Sequence, residues 1–265
     1  MSISKTPISS DARFSIIIVN YKSQQYLAKC IASIQSAFKG VEIEIIIVNN
    51  DREEKLIELE NDYPSIKIIH TQKNIGFGRA HNLGAAEAKG RYLLLINPDT
   101  EVIFAEPESI FEKMRKQPEL GIIGLKIVNE KHERQPWTVG FREVDLYDLI
   151  QNNLNLLKRV NKKQSVFWVS GAAFIIEKVL FNQLGGFDEN FFMYFEDVDL
   201  CKRARGAGRK IESSDAVVVR HVEGGSWKDK TKQKHFFYAS QDYYFKKHFK
   251  GWTPWVVRTL RKIVI

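Results

Sequence analysis

Short apolar runs alternate with longer amphipathic segments over the first hundred residues of the chain. The runs are rich in isoleucine, valine and leucine and predict strands buried on both faces, at 14–19, 43–48, 66–69 and 92–96. Between the runs, apolar residues at helical spacing predict helices at 23–38, 53–61 and 78–88. Strands that alternate with helices in this way are typical of an α/β fold, with a Rossmann-like, mostly parallel sheet flanked by helices.

The second half of the chain has a less regular pattern. It predicts helices at 108–116 and 198–207, extended chain at 122–128, a helix or mobile loop at 144–160 and a short strand at 216–219. Small residues at 170–173 would let a ligand approach the backbone. We interpret residues 1–12 as a disordered lead-in, 13–226 as one main domain and 227–265 as a C-terminal helical extension.

Polar side chains follow three of the predicted strands, at the point where each strand ends. They are Asn20 and Tyr21, then Asn49, Asn50 and Asp51, then Asn97 and Asp99. Because ligands bind at the carboxyl ends of strands in such sheets, these residues predict a binding site. The turn at 97–99 also suits Mg²⁺ or Mn²⁺ carrying phosphates, although the same tripeptide is an ordinary turn sequence.

Three acidic residues, Glu196, Asp197 and Asp199, follow a run of large apolar and aromatic side chains at 191–195. Like charges and apolar neighbours both raise the pKa of a carboxyl group toward neutrality, which suits a general base. The alternative is structural, because acidic side chains also favour the first turn of a helix. If Asp197 opens a helix, Asp199 points away from it and is expected to contact Arg203 one turn later.

Composition bounds the class of protein. The chain has 265 residues, of which 44% are hydrophobic, enough for a full core in one domain. No apolar run approaches the ~20 residues of a membrane-spanning helix, and the polar first twelve residues lack the apolar region of a signal peptide. Cys30 and Cys201 have no metal-type spacing, so we interpret them as reduced core thiols of a cytosolic protein.

The positive charge of the chain is concentrated at its C-terminal end. The net charge is +8, and residues 221–265 carry ten Lys or Arg against three Asp or Glu. Aromatic and basic residues are mixed at 236–255, which favours contact with an anionic membrane surface. Two alternatives are that the aromatic residues only pack the tail onto the main domain, or that the tail binds single-stranded nucleic acid, which nothing else in the sequence supports.

Five motifs carry a family resemblance. They are IVNY at 18–21, NIGFGRAHN at 74–82, LINPDT at 95–100, GGFDE at 185–189 and FEDVDLC at 195–201. In this order and spacing they resemble the family-2 inverting glycosyltransferases of the GT-A fold, over residues 14–226. The resemblance is nearest to the rhamnosyltransferase-like branch that builds bacterial surface polysaccharides. It implies a GT-A domain at 13–226, followed by the basic and aromatic helical extension.

The resemblance also implies roles for individual residues. Asp197 matches the catalytic base and Glu196 its neighbour, while Asp99 and His221 match residues that hold metal or diphosphate. On the acceptor side are Gly171 and Trp168. The residues expected to bind or close over the nucleotide-sugar are Asn20, Tyr21, Asn49, Asp51, Gly76, Arg79, His81, Asn82 and Asn97.

The expected activity is metal-dependent, inverting transfer of a sugar, with rhamnose as one candidate, in cell-surface polysaccharide synthesis. The donor is expected to be a dTDP- or UDP-sugar, the acceptor a saccharide or lipid-linked saccharide, and the cofactor Mg²⁺ or Mn²⁺. The expected location is the cytoplasm, with peripheral contact at the inner face of the membrane and no nucleic-acid partner. The alternatives are a nucleotidyltransferase and a non-catalytic nucleotide- or sugar-binding relative.

Two positions depart from the family pattern. Asn49 stands where the family usually has an acid that accepts a proton from uracil or thymine, and an amide pairs with the base more weakly. His81 stands where the family often has Arg or Asn. The first departure leaves open whether Asp51 substitutes, the base preference is altered or the donor affinity is low.

Overall fold

The computed structural model describes residues 14–135, 138–145, 165–221 and 229–264. Its strands are β1 Phe14–Asn20, β2 Ile43–Asn49, β3 Lys67–His70, β4 Tyr92–Ile96, β5 Thr100–Ala105, β6 Leu120–Val128, β7 Val139–Gly140, β8 Trp168–Val169, β9 Ala173–Glu177 and β10 Lys210–His221. Its helices are α1 Gln24–Ala37, α2 Ile57–Asp62, α3 Phe77–Glu87, α4 Pro107–Lys116, α5 Lys178–Gln183, α6 Glu196–Gly206, α7 Lys230–His248 and α8 Thr253–Val264. The predicted lead-in at 1–12, most of the segment predicted at 144–160 and the domain boundary predicted after 226 lie outside the described residues.

The described strands form one large mixed sheet and a separate sheet of two short antiparallel strands. The large sheet has the order β3-β2-β1-β4-β9-β6-β10-β5, and the pair consists of β7 and β8. From β3 to β4 all neighbours are parallel, whereas β9 runs antiparallel to both β4 and β6. The sheet beyond β4 combines one parallel pair, β6 with β10, and an antiparallel edge, β10 with β5. Polar residues at the ends of β1, β2 and β4 therefore meet at one edge.

Helices cover both faces of the sheet, which confirms the predicted α/β class. Ile16 and Ile18 of β1 face a core that includes the apolar side of α1, whereas Ile17 faces a second core that includes α3 and α6. Successive side chains of a strand point to opposite faces, so a run of isoleucines fits a strand covered on both sides. At Gly84 of α3 an added Cβ would lie 2.6 Å from Ile17 Cγ2, so this helix packs very close to the sheet.

Several elements differ from the sequence-based expectations. Strand β5 follows the turn at 97–99 directly and pairs with β10 at the sheet edge. The sequence pattern did not predict it, because the second half of the strand is exposed and its pattern resembles that of a loop. β10 begins at Lys210 instead of residue 216, since its first half is polar and pairs with β6 through an irregular register. Helix α2 begins only at Ile57, after Leu56 in a left-handed conformation with φ 52°.

The C-terminal extension is helical, as predicted, and much of it packs on the main domain. Tyr244 and Phe245 of α7 are buried in a cluster with Phe191 and Phe195, next to the acidic motif. The interpretation of the aromatic residues as packing residues is therefore confirmed for this part of the tail. Trp252 and Trp255, by contrast, are each 69% exposed. Within the described part of the chain, we find no helix with the length and apolar character needed to cross a membrane.

Both cysteines are free and buried in the core, as the sequence indicated. Burial raises the pKa of the Cys30 and Cys201 thiols to about 12 in each case. A thiol with such a pKa is almost entirely protonated near neutral pH and is a poor nucleophile. The two cysteines therefore contribute packing and carry no chemistry.

Candidate active site

A cleft of about 460 Å³ opens at the carboxyl ends of β1, β2 and β4 and is closed on its other side by α6 and α7. Eight of the residues predicted for the site line it: Tyr21, Gly76, Asn97, Asp99, Gly171, Glu196, Asp197 and His221. These residues come from segments far apart in the sequence, and the sheet topology brings them together. The cleft is therefore the candidate active site.

Asp197 is held at the edge of the cleft by backbone groups. The Gly171 N–H donates to one of its carboxylate oxygens and the Val198 N–H to the other, each over 2.8 Å. Burial raises the pKa of Asp197, although these backbone hydrogen bonds oppose the shift. A carboxylate with a fixed orientation and a raised pKa is a better proton acceptor than an ordinary aspartate.

The backbone before Asp197 is strained. Tyr194 and Phe195 have φ values of 71° and 66°, a conformation that costs energy for large side chains. Helix α6 begins directly after them at Glu196, which places Glu196 and Asp197 in its first turn. Glu196 and Asp197 thus occupy the favourable first turn of a helix, as the structural alternative predicts, and they also lie in the cleft.

Glu196 lies beside Asp197 and is 5% exposed. Its Oε2 atom accepts no hydrogen bond from any of the described residues. Burial, followed by the charge of Asp197, raises the pKa of Glu196 well above its usual value. Burial and the neighbouring charge thus both favour the protonated form of Glu196, whose carboxyl group lines the cleft.

Asp199 has a different environment from its two acidic neighbours and does not line the cleft. Arg203 Nε donates to its Oδ2 over 2.7 Å, which confirms the predicted contact one helical turn later. Lys247 and His248 of α7 each lie 2.6 Å from its Oδ1. Burial raises the pKa of Asp199, but the hydrogen bonds from His248, Lys247 and Arg203 outweigh burial and lower it. Asp199 is a structural carboxylate.

Asp99 and His221 meet at the opposite wall of the cleft. Asp99 follows β4 and is 4% exposed, and its Oδ1 lies 3.5 Å from His221 Nε2 at the end of β10. The turn that carries Asp99 is fixed by two hydrogen bonds, from the Asn97 N–H to the Ala172 carbonyl over 2.9 Å and from Thr100 Oγ1 to the Asn97 carbonyl over 2.6 Å. A sequence pattern alone did not show that Thr100 and Ala172 support this turn.

The donor set of Asp99 and His221 fits a divalent cation. A carboxylate oxygen and an imidazole nitrogen are both ligands for Mn²⁺, and Mg²⁺ often takes one or two carboxylates together with substrate phosphates. No group of three or more His, Cys, Asp or Glu suited to a metal ion occurs among the described residues. The remaining coordination positions would therefore belong to phosphate oxygens and water.

Three residues predicted on the nucleotide side lie beneath the cleft. Asn20 and Asn49 are fully buried, and Asn20 Nδ2 donates to Asn49 Oδ1 over 3.0 Å and to Glu54 Oε2 over 2.8 Å. Asp51 accepts a hydrogen bond from the Glu53 N–H over 2.8 Å. The structure thus joins these three residues to the 53–54 segment and leaves the wall of the cleft to others.

Asn50 occupies the wall in their place. Its Nδ2 donates to Asn74 Oδ1 over 3.0 Å and its Oδ1 accepts from the Ile75 N–H over 2.9 Å. Asn50 and Asn74 both line the cleft, and Gly76, with φ 95°, follows them. An added Cβ at Gly76 would lie 2.7 Å from the Phe192 carbonyl oxygen, so only glycine fits there.

Arg79, His81 and Asn82 lie on α3, away from the lining of the cleft. His81 is fully buried with Nδ1 3.0 Å from the Phe77 carbonyl oxygen, and burial lowers its pKa to about 4. Asn82 exchanges two hydrogen bonds of 2.9 Å with the backbone of Phe187. Arg79 forms an exposed ion pair with Glu189. In this structure the three side chains thus support the neighbouring segments.

Trp168, which was expected on the acceptor side, does not line the cleft. It is in β8, opposite Gly140 of β7, where an added Cβ would clash with the indole ring. The cleft wall that follows it is formed by Ser170, Gly171 and Ala172. Trp168 therefore supports this wall from behind.

Some lining residues were not predicted from the sequence. They are Val19, Ser23, Asn74, Phe77, Pro98, Phe192, Met193, Tyr194, Lys230 and Gln233. Most are neighbours of predicted residues, and a wider window around each motif would have found them. Lys230 and Gln233 are different, because they belong to α7, which was assigned to the extension.

Comparison with known proteins identifies the family. Residues 15–185 match the sequence model of glycosyl transferase family 2. An N-acetylglucosaminyl-diphospho-decaprenol L-rhamnosyltransferase from Mycobacterium tuberculosis is 23% identical over 274 residues, which cover 89% of this chain and 85% of the relative. The rhamnosyltransferase WbbL from Escherichia coli is 24% identical over 227 residues, which cover 78% and 82%.

Two solved structures have a similar fold. TarS from S. aureus superposes with a TM-score of 0.59 at 18% identity, over 79% of this chain and 36% of that chain. GalNAc-T7, crystallised with UDP, GalNAc and Mn²⁺, gives a TM-score of 0.62 at 16% identity, over 90% of this chain and 50% of that chain. The chain thus spans half or less of these two proteins, and the likeness confirms the GT-A fold. With the family match over residues 15–185, it follows that the chain is a glycosyltransferase and belongs to glycosyl transferase family 2.

Proposed function

We propose that this glycosyltransferase is metal-dependent and inverting, with Asp197 as its catalytic base. The observation that supports this most directly is that Asp197 and Asp99 line the same cleft. Asp197 supplies a fixed carboxylate with a raised pKa, and Asp99 with His221 supplies a site for a divalent cation. One cleft therefore offers both a proton acceptor and a place for a diphosphate.

The reaction is a single displacement. An acceptor hydroxyl gives its proton to Asp197 while its oxygen forms a bond to the anomeric carbon of the donor sugar. The bond between that carbon and the diphosphate oxygen breaks on the opposite face, and a nucleoside diphosphate leaves. Attack opposite the leaving group inverts the anomeric centre, so the enzyme needs no nucleophile of its own.

The residues around the diphosphate have separate tasks. Asp99 and His221 would hold Mg²⁺ or Mn²⁺, which when bound offsets the charge of the leaving diphosphate. The turn at 97–99 fixes the position of Asp99, and the Asn50–Asn74 pair forms the wall nearest the end of β2. Glu196 lines the cleft beside Asp197 and is placed to contact a sugar hydroxyl through its Oε2 atom.

The relatives suggest the substrate class. Two are named as rhamnosyltransferases, and the name of one specifies an acceptor with a saccharide joined through a diphosphate to a polyprenol. We therefore propose a dTDP- or UDP-sugar donor, with rhamnose as the first sugar to test, and an acceptor saccharide linked to a lipid by a diphosphate, in surface polysaccharide synthesis. The family assignment favours sugar transfer over the nucleotidyl transfer considered from the sequence.

An acceptor of this kind would be presented at a membrane surface. The exposed Trp252 and Trp255 at the end of the chain, near the exposed Lys246 and Lys250, suit peripheral contact with anionic lipid headgroups. The basic residues Arg258 and Arg261 are engaged by Asp242, so the tryptophans and lysines are the main candidates for that contact.

The test is calorimetric binding of UDP, dTDP, GDP and CDP, with Mn²⁺ and with EDTA. We expect a preference for UDP or dTDP that requires the metal. In Mn²⁺, Asp99→Asn should bind the preferred nucleotide at least about tenfold more weakly than the parent protein does. Its affinity should then be close to the affinity of the parent protein in EDTA. Asp215→Asn, at an exposed position, is the control. Equal binding in Mn²⁺ and EDTA would contradict the metal site, and a preference for GDP would contradict the proposed donor.

A further inference from the structure

Helix α7 begins in the cleft, although the sequence placed it in the extension. Lys230 and Gln233, one turn apart at the start of α7, line the same cleft as Asp197 and Asp99. The nucleotide-side residues Asn50 and Asn74 belong to loops after β2 and β3, whereas these two belong to the C-terminal helix. The C-terminal helix therefore contributes to the site itself.

The first turns of α7 are fixed against the segment that precedes the catalytic pair. Gln233 Nε2 donates to the Tyr194 hydroxyl oxygen over 2.7 Å. Phe236 stacks on Phe192 with 4.5 Å between ring centroids. Tyr194 immediately precedes Phe195 and the first turn of α6. The distance of Gln233 from the catalytic pair is thus set by direct contacts.

Lys230 brings a positive charge to this end of the cleft. Its side chain is exposed, and none of the carboxylates in the described ranges pairs with it. The nearby Asp229 accepts hydrogen bonds from the Thr231 and Lys232 N–H groups, so its carboxylate caps the helix. An ammonium group in the lining of a cleft suits an anionic group of a ligand.

We propose that Lys230 and Gln233 form the acceptor subsite and that the acceptor carries a phosphate or diphosphate next to its saccharide. Lys230 binds the phosphate, and the Gln233–Tyr194 pair contacts the saccharide beside Asp197. This inference rests on the proposed function, because it needs a sugar acceptor. It adds a recognition role for the C-terminal helix.

The test compares two acceptors of the same sugar with the full-length protein. The first is farnesyl-diphospho-N-acetylglucosamine and the second is the uncharged octyl N-acetylglucosaminide. Lys230→Gln should raise KM for the diphosphate acceptor about tenfold and leave its kcat, the donor KM and the KM for the uncharged acceptor unchanged. Lys234→Gln, one turn further along α7 and exposed, is the matched control and should change none of these values. Equal effects of the two variants would overturn the role of Lys230.

A double-mutant cycle tests Gln233. Gln233→Leu and Tyr194→Phe each remove the same hydrogen bond, so their effects on acceptor KM should not add. Additive effects, or effects on the donor KM alone, would overturn its place in the acceptor subsite. Thermal unfolding of each variant separates loss of fold from loss of binding.

The subsite and the proposed function fail in different ways. If the parent protein transfers sugar and Lys230→Gln behaves as the parent protein does, the subsite is wrong and the function stands. If the parent protein shows no transfer, calorimetric binding of the diphosphate acceptor to the parent protein and to Lys230→Gln tests the subsite. Binding weakened by Lys230→Gln supports the subsite, and binding that is absent or insensitive to the substitution overturns it.

Discussion

His248 Nε2 lies 2.6 Å from Asp199 Oδ1, so the last residue of α7 contacts the first turn of α6. Asp199 has no exposed side-chain surface and also contacts Lys247 and Arg203. A buried carboxylate is stable only when it is compensated by hydrogen bonds or opposite charge, and here two of its three partners come from the C-terminal helix. The third acid of the motif thus fastens the helix that reaches the cleft to the helix that carries Asp197.

Asp199→Asn should destabilise the protein strongly. The substitution keeps the shape of the side chain but removes the carboxylate that compensates Arg203 and leaves Lys247 with Asp188 alone, so we expect a loss of roughly 3 kcal/mol of unfolding free energy. The measurement is equilibrium unfolding in urea. Asp215→Asn breaks ion pairs of a carboxylate that is 61% exposed and should cost less than about 1 kcal/mol. Similar losses for the two variants would show that the cluster contributes no special stability.

The same cluster predicts a pH dependence of stability. The hydrogen bonds that outweigh burial lower the pKa of Asp199 in the folded state. Its contribution is therefore fully present above the unfolded value of about 3.9 and is lost as pH falls through the lower folded value. The difference in unfolding free energy between the parent protein and Asp199→Asn should shrink as the pH falls below about 4. A difference that grows over this acidic range would contradict the assignment.

The first half of the sheet could be predicted from the sequence for a clear physical reason. Strands such as β1 and β4 are buried on both faces, so their apolar runs are unambiguous. Polar residues directly after them had to lie at the carboxyl edge, which placed Tyr21, Asn97 and Asp99 in the cleft. The pattern did not show that Asn49 points beneath the cleft and Asn50 into it, because adjacent residues after a strand have no fixed orientation.

The part of the cleft that α7 forms could not be predicted from the sequence pattern. Lys230 and Gln233 follow His221 by several residues and carry no motif of their own, and basic helical segments are usually solvated. Their place depends on aromatic contacts such as Phe236 on Phe192, which are tertiary and leave no periodic signal. The sequence also could not predict the strained backbone at Tyr194 and Phe195, since both residues fit an ordinary apolar run.

Asp197→Asn should abolish most of the sugar transfer without loss of fold. Asparagine still accepts the Gly171 hydrogen bond but takes no proton, so we expect kcat to fall about 10²–10⁴-fold. Because burial raises the pKa of Asp197, activity of the parent protein should rise with pH through an inflection above about 4. The residual activity of the variant should lack this inflection. Glu189→Gln, at an exposed ion pair, is the control, and full activity of Asp197→Asn would show that Asp197 is not the catalytic base.

The exposed tryptophans should bind anionic membranes. Trp252 and Trp255 are each 69% exposed, so replacing both by serine removes apolar surface without opening the core, and the unfolding free energy should change little. Flotation with phosphatidylglycerol vesicles should show binding reduced about tenfold or more, because interfacial binding depends on buried aromatic surface together with basic charge. Binding of the parent protein should also weaken in high salt and be weaker on phosphatidylcholine vesicles. Phe104→Ser removes an aromatic side chain that is 45% exposed at the sheet edge and should leave vesicle binding unchanged. If the parent protein and the double variant float equally, the tail serves only to pack on the main domain and to complete the cleft.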